Sequence, residues 1–597
     1  MQNQEEISRR EFLGALGAGA VIGTVAPQRL QGASGGSTPP PVLKNPNILV
    51  IMVDQLRPPM WLSSSQSASL GTAVLPNIVG RIQNRAYNFQ EFYVAATACI
   101  PSRSCLLTGL YAPQTAKYLN NDDSAALNPA YPTWGEAMAT LNQAYQGNVW
   151  WFGKWHLSQI LSSTPLLPYG FNARTYPGGV GPYNPSPNGA ANEGANGGPF
   201  HNAIWASDAM IAGDFIGWLQ GQASGSAPWC ATVSLINPHD ITFAPAWLQS
   251  SPFPPTSVPL KPVYFSPPSG SPPSFFSNVP SPWNYENLQQ TPNKPGLQAA
   301  YVNYSNKQVG AVTDWVLLLN QYFWLQSYVD AQVGHVLDAL QSSPFANNTI
   351  IVFLSDHGEF GGSHGMHTKG FAVYDEAIRV PFYVQFPGQT ASFTMSQMCS
   401  AVDLFGLICD LATGGSGVWR LAYPDLGNRQ SIWSFLYRNS TETRVLPGSG
   451  GLPYVLHTFD ETAPSPKSHI VCLRTKNDPS CGTVGAKLAF YSAWNQCATV
   501  PNSTPPDPEF YDYNPQTTNN TSELGNDYYS NNATTQATIE QYTQALGSWA
   551  PAPAGIIGNE LNAPLVGTGT DGNPLTNAQS EAREAYFTYV NGSGVCP

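Results

Sequence analysis

Short, nearly unbroken apolar runs alternate along this chain with longer stretches whose apolar positions recur every three or four residues. Ile48 to Val53, Asn148 to Phe152, Ala231 to Ile236 and Ile350 to Leu354 are runs of the first kind, the pattern of strands buried on both faces. Helical spacing predicts helices over Ser102 to Leu110, Trp134 to Leu141, Ala203 to Leu219 and Tyr322 to Leu340; in the last, Val329, Val333, Val336, Leu337 and Leu340 form one packing stripe. The alternation predicts an α/β fold, a sheet with helices on its faces. After about Leu426 the pattern changes. Strand signals at Tyr454 to Phe459, His469 to Arg474 and Lys487 to Trp494, an Asn/Thr-rich stretch from Asn514 to Thr535 and a terminal helix near Gln579 to Tyr589 predict a smaller α+β unit, an antiparallel sheet packed on a helix. Phe253 to Pro295, rich in Pro, Ser and aromatics, reads as a long loop, either a lid or a surface excursion.

At 597 residues the chain exceeds a single core, so one large domain with a smaller companion is expected. The formal net charge is −12 and 10% of residues are charged. That argues against nucleic-acid binding by counterion release and leaves no basic face for an acidic membrane. Such a surface also repels polyanions unless a binding site is locally basic. Ser8-Arg9-Arg10-Glu11-Phe12-Leu13, the weakly apolar run from Gly14 to Ala26 and a Gly/Ser/Pro stretch to Pro41 resemble a twin-arginine export signal. The resemblance implies a periplasmic or secreted protein carried by the twin-arginine translocase. The apolar run is shorter than the roughly 20 residues of a spanning helix, so no stable membrane anchor is expected.

Two carboxylates attract attention first. Asp54 and Asp356 each come directly after an apolar strand, and open α/β sheets bind ligands outside the carboxyl ends of their strands. Cys99 comes just before a predicted helix start, where free N–H groups and the helix dipole favour an anion. Cys99-Ile100-Pro101-Ser102-Arg103, followed by Ser104-Cys105-Leu106-Leu107-Thr108-Gly109, resembles the signature of the type I sulfatases of the alkaline phosphatase superfamily. In that family the first cysteine is oxidised to formylglycine, whose hydrate is the nucleophile. Asn47 to Gln55, Gly153-Lys154-Trp155-His156-Leu157, Asn237-Pro238-His239-Asp240, Ser355-Asp356-His357-Gly358-Glu359, His364-Gly365, Lys369-Gly370 and Asp375 to Pro381 resemble further family elements in order and spacing. The resemblance runs from about Asn45 to Gly427 and then thins to matches such as Glu509-Phe510-Tyr511-Asp512.

The resemblance implies a large mixed, mostly parallel sheet sandwiched by helices, alkaline phosphatase-like, with a smaller C-terminal α+β domain. It divides the chain into a signal peptide (1–33), a linker (34–44), a catalytic domain (45–427) and a C-terminal subdomain (428–597). It implies hydrolysis of sulfate monoesters of small molecules or glycans, after maturation of Cys99 by a formylglycine-generating enzyme. Asp54, Gln55, Asp356, His357 and the modified Cys99 would hold a divalent cation, Ca²⁺ by resemblance, with Mn²⁺ or Mg²⁺ left open by the His357 nitrogen. Arg103 would stabilise the formylglycine and the metal, and His156 would act as base. Lys154, Lys369 and His239 would hold sulfate oxygens, with His239 or Lys369 giving the leaving-group proton. Alternatives are a phosphonate monoester hydrolase or phosphodiesterase with the same chemistry, and a silent protein that binds a sulfated ligand.

The remaining histidines and cysteines read more plainly. His201, His335, His457 and His469 are expected to be structural, His364 to orient the loop carrying Lys369, and His367 to be a pocket residue without a role. His364 and His367 with His357 lack the spacing of a closed zinc site. Setting Cys99 aside leaves eight cysteines, compatible with up to four disulfides in an oxidising compartment. Cys472 with Cys481 and Cys497 with Cys596 are the pairings their positions suggest, and Cys105 reads as a packed free thiol.

Overall fold

The structure is a computed structural model that describes residues 39–58, 71, 73–120, 126–158, 166–173, 208–248, 275–279, 283–437, 443–446, 449–461, 464–478, 483–493, 504–546 and 565–591. The arginine pair, His201, Cys481, Cys497 and Cys596 lie outside these residues.

Eight strands form the main sheet: β1 (Asn47–Val53), β2 (Tyr87–Tyr93), β3 (Val149–Gly153), β4 (Asn172–Ala173), β5 (Cys230–Leu235), β6 (Thr349–Ser355), β7 (Phe382–Gln385) and β8 (Phe393–Ser400). Their order is β4-β3-β5-β1-β6-β7-β2-β8. β7 runs antiparallel to both neighbours and the other pairings are parallel. The four apolar runs are the central strands, and their alternation shows why the sheet must be covered twice. Ile48, Val50 and Met52 enter one core while Leu49, Ile51 and Val53 enter the other, as the two-residue period of a strand requires. Helices Cys99–Thr108, Trp134–Leu141 and Leu404–Thr413 pack on the first face. Helix Asp208–Gln220 and the C-terminal half of helix Trp315–Gln341 pack on the second, the latter through the expected valine and leucine stripe.

Helix Trp315–Gln341 starts before the predicted Tyr322 because Asp314 caps it, its carboxylate accepting from Leu317 N at 3.0 Å. Helix Cys99–Thr108 also starts early. Pro101 is harmless in a first turn, whose N–H groups have no intrahelical partner, so Cys99 is the first residue of the helix and not a residue ahead of it.

The second sheet, β12-β11-β10-β9, is antiparallel throughout: β9 (Tyr454–Phe459), β10 (His469–Thr475), β11 (Ala486–Ser492) and β12 (Asp507–Asp512). Helix Ala533–Leu546 packs on it through Ile539, Tyr542 and Leu546, and Tyr542 Oη lies 2.7 Å from Thr475 Oγ1. The terminal helix Leu575–Asn591 instead lays Tyr586 against Tyr118 of the main domain, ring centroids 4.8 Å apart. β9 also meets the segment before the Cys99 helix, Thr458 N donating to Ala95 O at 2.9 Å. Cys105, Cys230 and Cys472 are buried free thiols. Cys472 sits mid-strand in β10, paired across to His457 and Ala489, and its suggested partner Cys481 lies outside the described residues. Among the described residues no helix is long and apolar enough to cross a membrane.

Candidate active site

The carboxyl ends of β1, β3, β5 and β6 lie side by side, so the residues just beyond them converge although they are hundreds of positions apart. Asp54 comes after β1, Lys154 and His156 after β3, His239 after β5, and Asp356 and His357 after β6. Gly153, at φ +87°, makes this possible for β3. A Cβ there would stand 2.2 Å from Ser234 O, whereas glycine lets Lys154 N donate to that same carbonyl at 3.0 Å. Cys99 enters from across the rim on its helix, whose N-cap, Ala98, has φ +67° and offers no side-chain cap.

Arg103, fully buried one turn after Cys99, organises the two carboxylates. Its Nε donates to Asp356 Oδ2 at 2.9 Å and one terminal nitrogen to Asp54 Oδ2 at 3.0 Å. The other terminal nitrogen donates to Lys154 O and Ser234 Oγ at 2.8 and 2.9 Å. Lys154 Nζ adds a second cation on Asp54 Oδ2 at 3.0 Å and stands 3.7 Å from Cys99 Sγ. One oxygen of each carboxylate is thus neutralised, and the other is presented inward. Asp54 Oδ1 lies 3.9 Å from Cys99 Sγ and 3.5 Å from His357 Nε2; Asp356 Oδ1 lies 3.8 Å from the same nitrogen. His357 Nδ1 faces Gly358 O at 3.0 Å, which makes Nδ1 the N–H donor and leaves the Nε2 lone pair pointing at two carboxylate oxygens and at Cys99 Sγ, 3.2 Å away.

Acceptors converging with no cation of the protein on their inward side describe a cation site. The ligand atoms of Asp54, Cys99, Asp356 and His357 all lie within 4.8 Å of one another and are buried. Carboxylate oxygens and one imidazole fit a divalent ion. Gln55 is placed differently. Its backbone N donates to Asp356 Oδ1 at 3.2 Å, but its side-chain carbonyl accepts from Lys369 Nζ at 2.7 Å and its amide nitrogen donates to Glu359 Oε2 at 2.5 Å.

Electrostatics reflect this crowding. Burial would raise the pKa of Asp54, but Lys154, His239, His357 and Arg103 hold it well below the usual carboxylate range. Burial, aided by Lys154 and Lys369, pushes His239 well below an ordinary histidine, which favours its neutral form. Arg103 and Lys154 sit directly on the two carboxylates and Lys369 on Gln55, with Glu359 behind Gln55 as a further buried carboxylate.

Other expected positions resolve variously. His364 stacks on Tyr374, centroids 3.5 Å apart, with Nδ1 2.8 Å from Glu286 and Nε2 3.6 Å from Glu376. It ties the Lys369 loop to residues 284–286, because His364 N also donates to Asn284 O. His367 Nε2 meets Ser305 Oγ at 2.9 Å, and burial pushes His367 down to about 4. His457 and His469 are buried in the second sheet and His335 is exposed. The described end of the aromatic loop, residues 283–295, is no mere excursion, since Glu286 and Lys294 are built into this packing. Sequence reasoning gave no role to Glu359, although it lies in a quoted motif, nor to Asp208. Buried Asp208 accepts from Ile236 N and from Asn237 N and Nδ2, shaping the turn that presents His239.

With this site at the carboxyl edge of a mostly parallel sheet, the chain belongs to the sulfatase family, whose sequence profile matches residues 46–415. It is 27% identical over 357 residues to an ulvan-active sulfatase of Formosa agariphila, covering 58% of this chain and 56% of that protein. It is also 27% identical over 365 residues to mouse (Mus musculus) iduronate 2-sulfatase, covering 58% and 60%. The match thus spans little more than half the length of these relatives. A 2-O GAG sulfatase superposes with a TM-score of 0.53 at 19% identity, covering 84% of this chain and 92% of the other. A phosphonate monoester hydrolase from Silicibacter pomeroyi gives 0.54 at 18%, covering 83% and 94%. These likenesses establish the alkaline phosphatase-like fold.

Proposed function

We propose that the protein hydrolyses sulfate monoesters, R–O–SO₃⁻ and water giving R–OH and sulfate, with formylglycine made from Cys99 as its nucleophile. The observation that carries this reading is the position of Cys99 Sγ, on a helix N-terminus at the meeting point of Asp54, His357 and Lys154. Formylglycine supplies, as its hydrate, one hydroxyl to attack sulfur and a second whose deprotonation expels sulfate as the aldehyde re-forms. A divalent cation held by Asp54, Asp356, His357 and the modified residue supplies neutralisation of the sulfuryl oxygens. Ca²⁺ remains the first expectation, with Mn²⁺ or Mg²⁺ as alternatives.

The chain's own residues do the rest. Arg103 fixes which oxygen of Asp54 and of Asp356 faces inward. Lys154 and Lys369 hold sulfate oxygens, and His156 takes the proton of the second hydroxyl. The leaving oxygen receives its proton from Lys369 or from His239. His239 starts neutral, and a bound anion opposes the cationic neighbours that keep it so. The relatives' names, ulvan-active and iduronate 2-sulfatase, support a sulfated saccharide, though a smaller ester would meet the same groups. Maturation by a formylglycine-generating enzyme, export by the twin-arginine translocase and a periplasmic or secreted location complete the proposal.

Matched aryl sulfate, phosphonate monoester and phosphodiester substrates test it, with peptide mass analysis across Cys99 on the same protein. The sulfate should have the highest kcat/KM and the peptide should carry the aldehyde. A more than ten-fold preference for a phosphorus ester, about 1.4 kcal/mol, transfers the reading to the phosphonate and phosphodiester hydrolases. An unmodified thiol in fully active protein overturns the nucleophile. No turnover despite aldehyde and metal leaves a protein that binds sulfated ligands.

A further inference from the structure

Gln55 stands beside a metal ligand, yet its side chain is committed elsewhere. The Lys369 ammonium can only donate and the Glu359 carboxylate accepts, so the amide between them has one orientation: Oε1 to Lys369 Nζ at 2.7 Å and Nε2 to Glu359 Oε2 at 2.5 Å. The backbone of Gln55 is equally fixed. It sits at φ +68°, unusual for a residue with a side chain, and is held there by Gln55 N to Asp356 Oδ1 and by Tyr322 Oη to Gln55 O at 2.7 Å. Thr242 Oγ1 lies 3.2 Å from Gln55 Nε2 and belongs to the turn His239–Phe243. Gln55 therefore touches three segments that carry site residues.

Glu359 completes the arrangement with its other oxygen. Oε1 accepts from Gly361 N at 2.9 Å and Thr368 N at 2.6 Å, pinning both sides of the loop that ends in Lys369. Arg57 donates to Glu359 O and Phe360 O at 2.7 and 2.5 Å, fixing the same backbone from the far side. A carboxylate at position 55 would face Glu359 at contact distance as a like charge, whereas an amide satisfies both neighbours.

We propose that Gln55 and Glu359 form a positioning relay for Lys369, in which Glu359 fixes the loop and the Gln55 amide, and the amide carbonyl fixes the ammonium. This rests on the reading above, in which Lys369 faces the sulfate ester, and it takes Gln55 out of the metal shell. A misplacement of about 1 Å in such a group lowers rate about 100-fold.

The test compares Gln55→Met, Glu359→Gln, Lys369→Ala and the double variant Gln55→Met/Lys369→Ala across aryl sulfates of graded leaving-group acidity, with metal content by elemental analysis. Gln55→Met should lose about 10- to 100-fold in kcat/KM, show the same substrate profile as Lys369→Ala, and keep its full metal complement. The double variant should be no slower than Lys369→Ala within about two-fold, because the relay acts only through that lysine. Additive losses overturn the relay, as does metal loss in Gln55→Met. If the parent enzyme cleaves no sulfate ester, the function reading has failed and crystal structures still decide the relay. Lys369 Nζ displaced in both Gln55→Met and Glu359→Gln supports it, and an unmoved Nζ overturns it.

Discussion

Asp54 and Asp356 at the head of the main sheet, and partly buried Asp375 with buried Glu523 at its seam with the second sheet, are carboxylates facing buried cations. They differ in what is left over. At the seam, Asp375 Oδ1 accepts from Lys487 Nζ at 2.6 Å and Oδ2 from Arg474 at 3.2 Å. Glu523 Oε1 takes the same lysine and Tyr513 Oη at 2.5 Å, while Oε2 takes Asp375 N at 3.0 Å. Every oxygen is closed. At the head, Arg103 and Lys154 close only the outer oxygens; the inner ones face a histidine nitrogen and a thiol, with one backbone N–H, that of Gln55, on Asp356 Oδ1. Both are ion networks. Only the one whose inward oxygens carry no protein cation leaves room for an added one, and burial alone does not tell them apart.

The largest expected effect is at the head. Cys99→Ala removes the nucleophile and one ligand but no charge, so turnover should fall by on the order of 10⁴-fold or more with the thermal midpoint near the parent's and most of the metal still held by Asp54, Asp356 and His357. Asp356→Asn should also abolish turnover, but with loss of the ion, because one inward oxygen becomes a donor. Elemental analysis of both variants beside the parent checks the contrast. A full metal complement in Asp356→Asn removes that residue from the site, and activity surviving in Cys99→Ala ends the nucleophile assignment.

The seam should respond in stability instead. Lys487→Met leaves Asp375 and Glu523 together with Arg474 as their main cation, and breaking such a network from one side costs about 3–5 kcal/mol. Urea denaturation should show that loss while kcat per folded molecule and metal content stay within about two-fold. If activity drops and stability does not, the seam is part of the site and the comparison collapses.

How much of this is legible in the sequence depends on which signals are local. The central strands show as apolar runs because both faces are buried, and Asp54 and Asp356 stand out as the acidic residues within two positions of their ends. β2 escapes notice although Tyr87, Phe89 and Phe92 are buried, because a register shift between Phe89 and Glu91 interrupts its alternation. Helix Ala533–Leu546 lies partly within the Asn/Thr-rich stretch, since only Thr535, Ile539, Tyr542 and Leu546 mark its buried side. Motif resemblance brings Gln55 into view but not its partner. That Gln55 serves Lys369 depends on Glu359, 304 residues away, and no spacing in the chain encodes which way an amide turns. The free thiol of Cys472 is likewise hidden, because even cysteine counts say nothing of burial in a strand.

The smallest effect separates the seam from the head by pH. Glu376 sits 3.6 Å from His364; burial would raise its pKa, but His364 and Arg57 hold it down to about 2 against an ordinary 4.5. A carboxylate depressed in the folded state contributes stability that is complete above about pH 4.5 and lost as pH falls toward 2. The size is about 3 kcal/mol by linkage, to order of magnitude. His364 has the opposite sign. Burial would lower it, yet Glu286 and Glu376 raise it above 6.5, so its contribution is complete below about 6.5 and fades as pH rises through the folded value. Together they give a plateau between these limits. Glu376→Gln should therefore be less stable than the parent by about 3 kcal/mol at pH 6, with the gap narrowing steadily as urea titrations are carried down to pH 3. Because the pair stands behind the Lys369 loop and touches no inward oxygen, metal content should not change across that series. Parallel stability curves for parent and variant would mean that Glu376 carries no charge-dependent load, and metal lost in step with stability would mean that seam and head are one network.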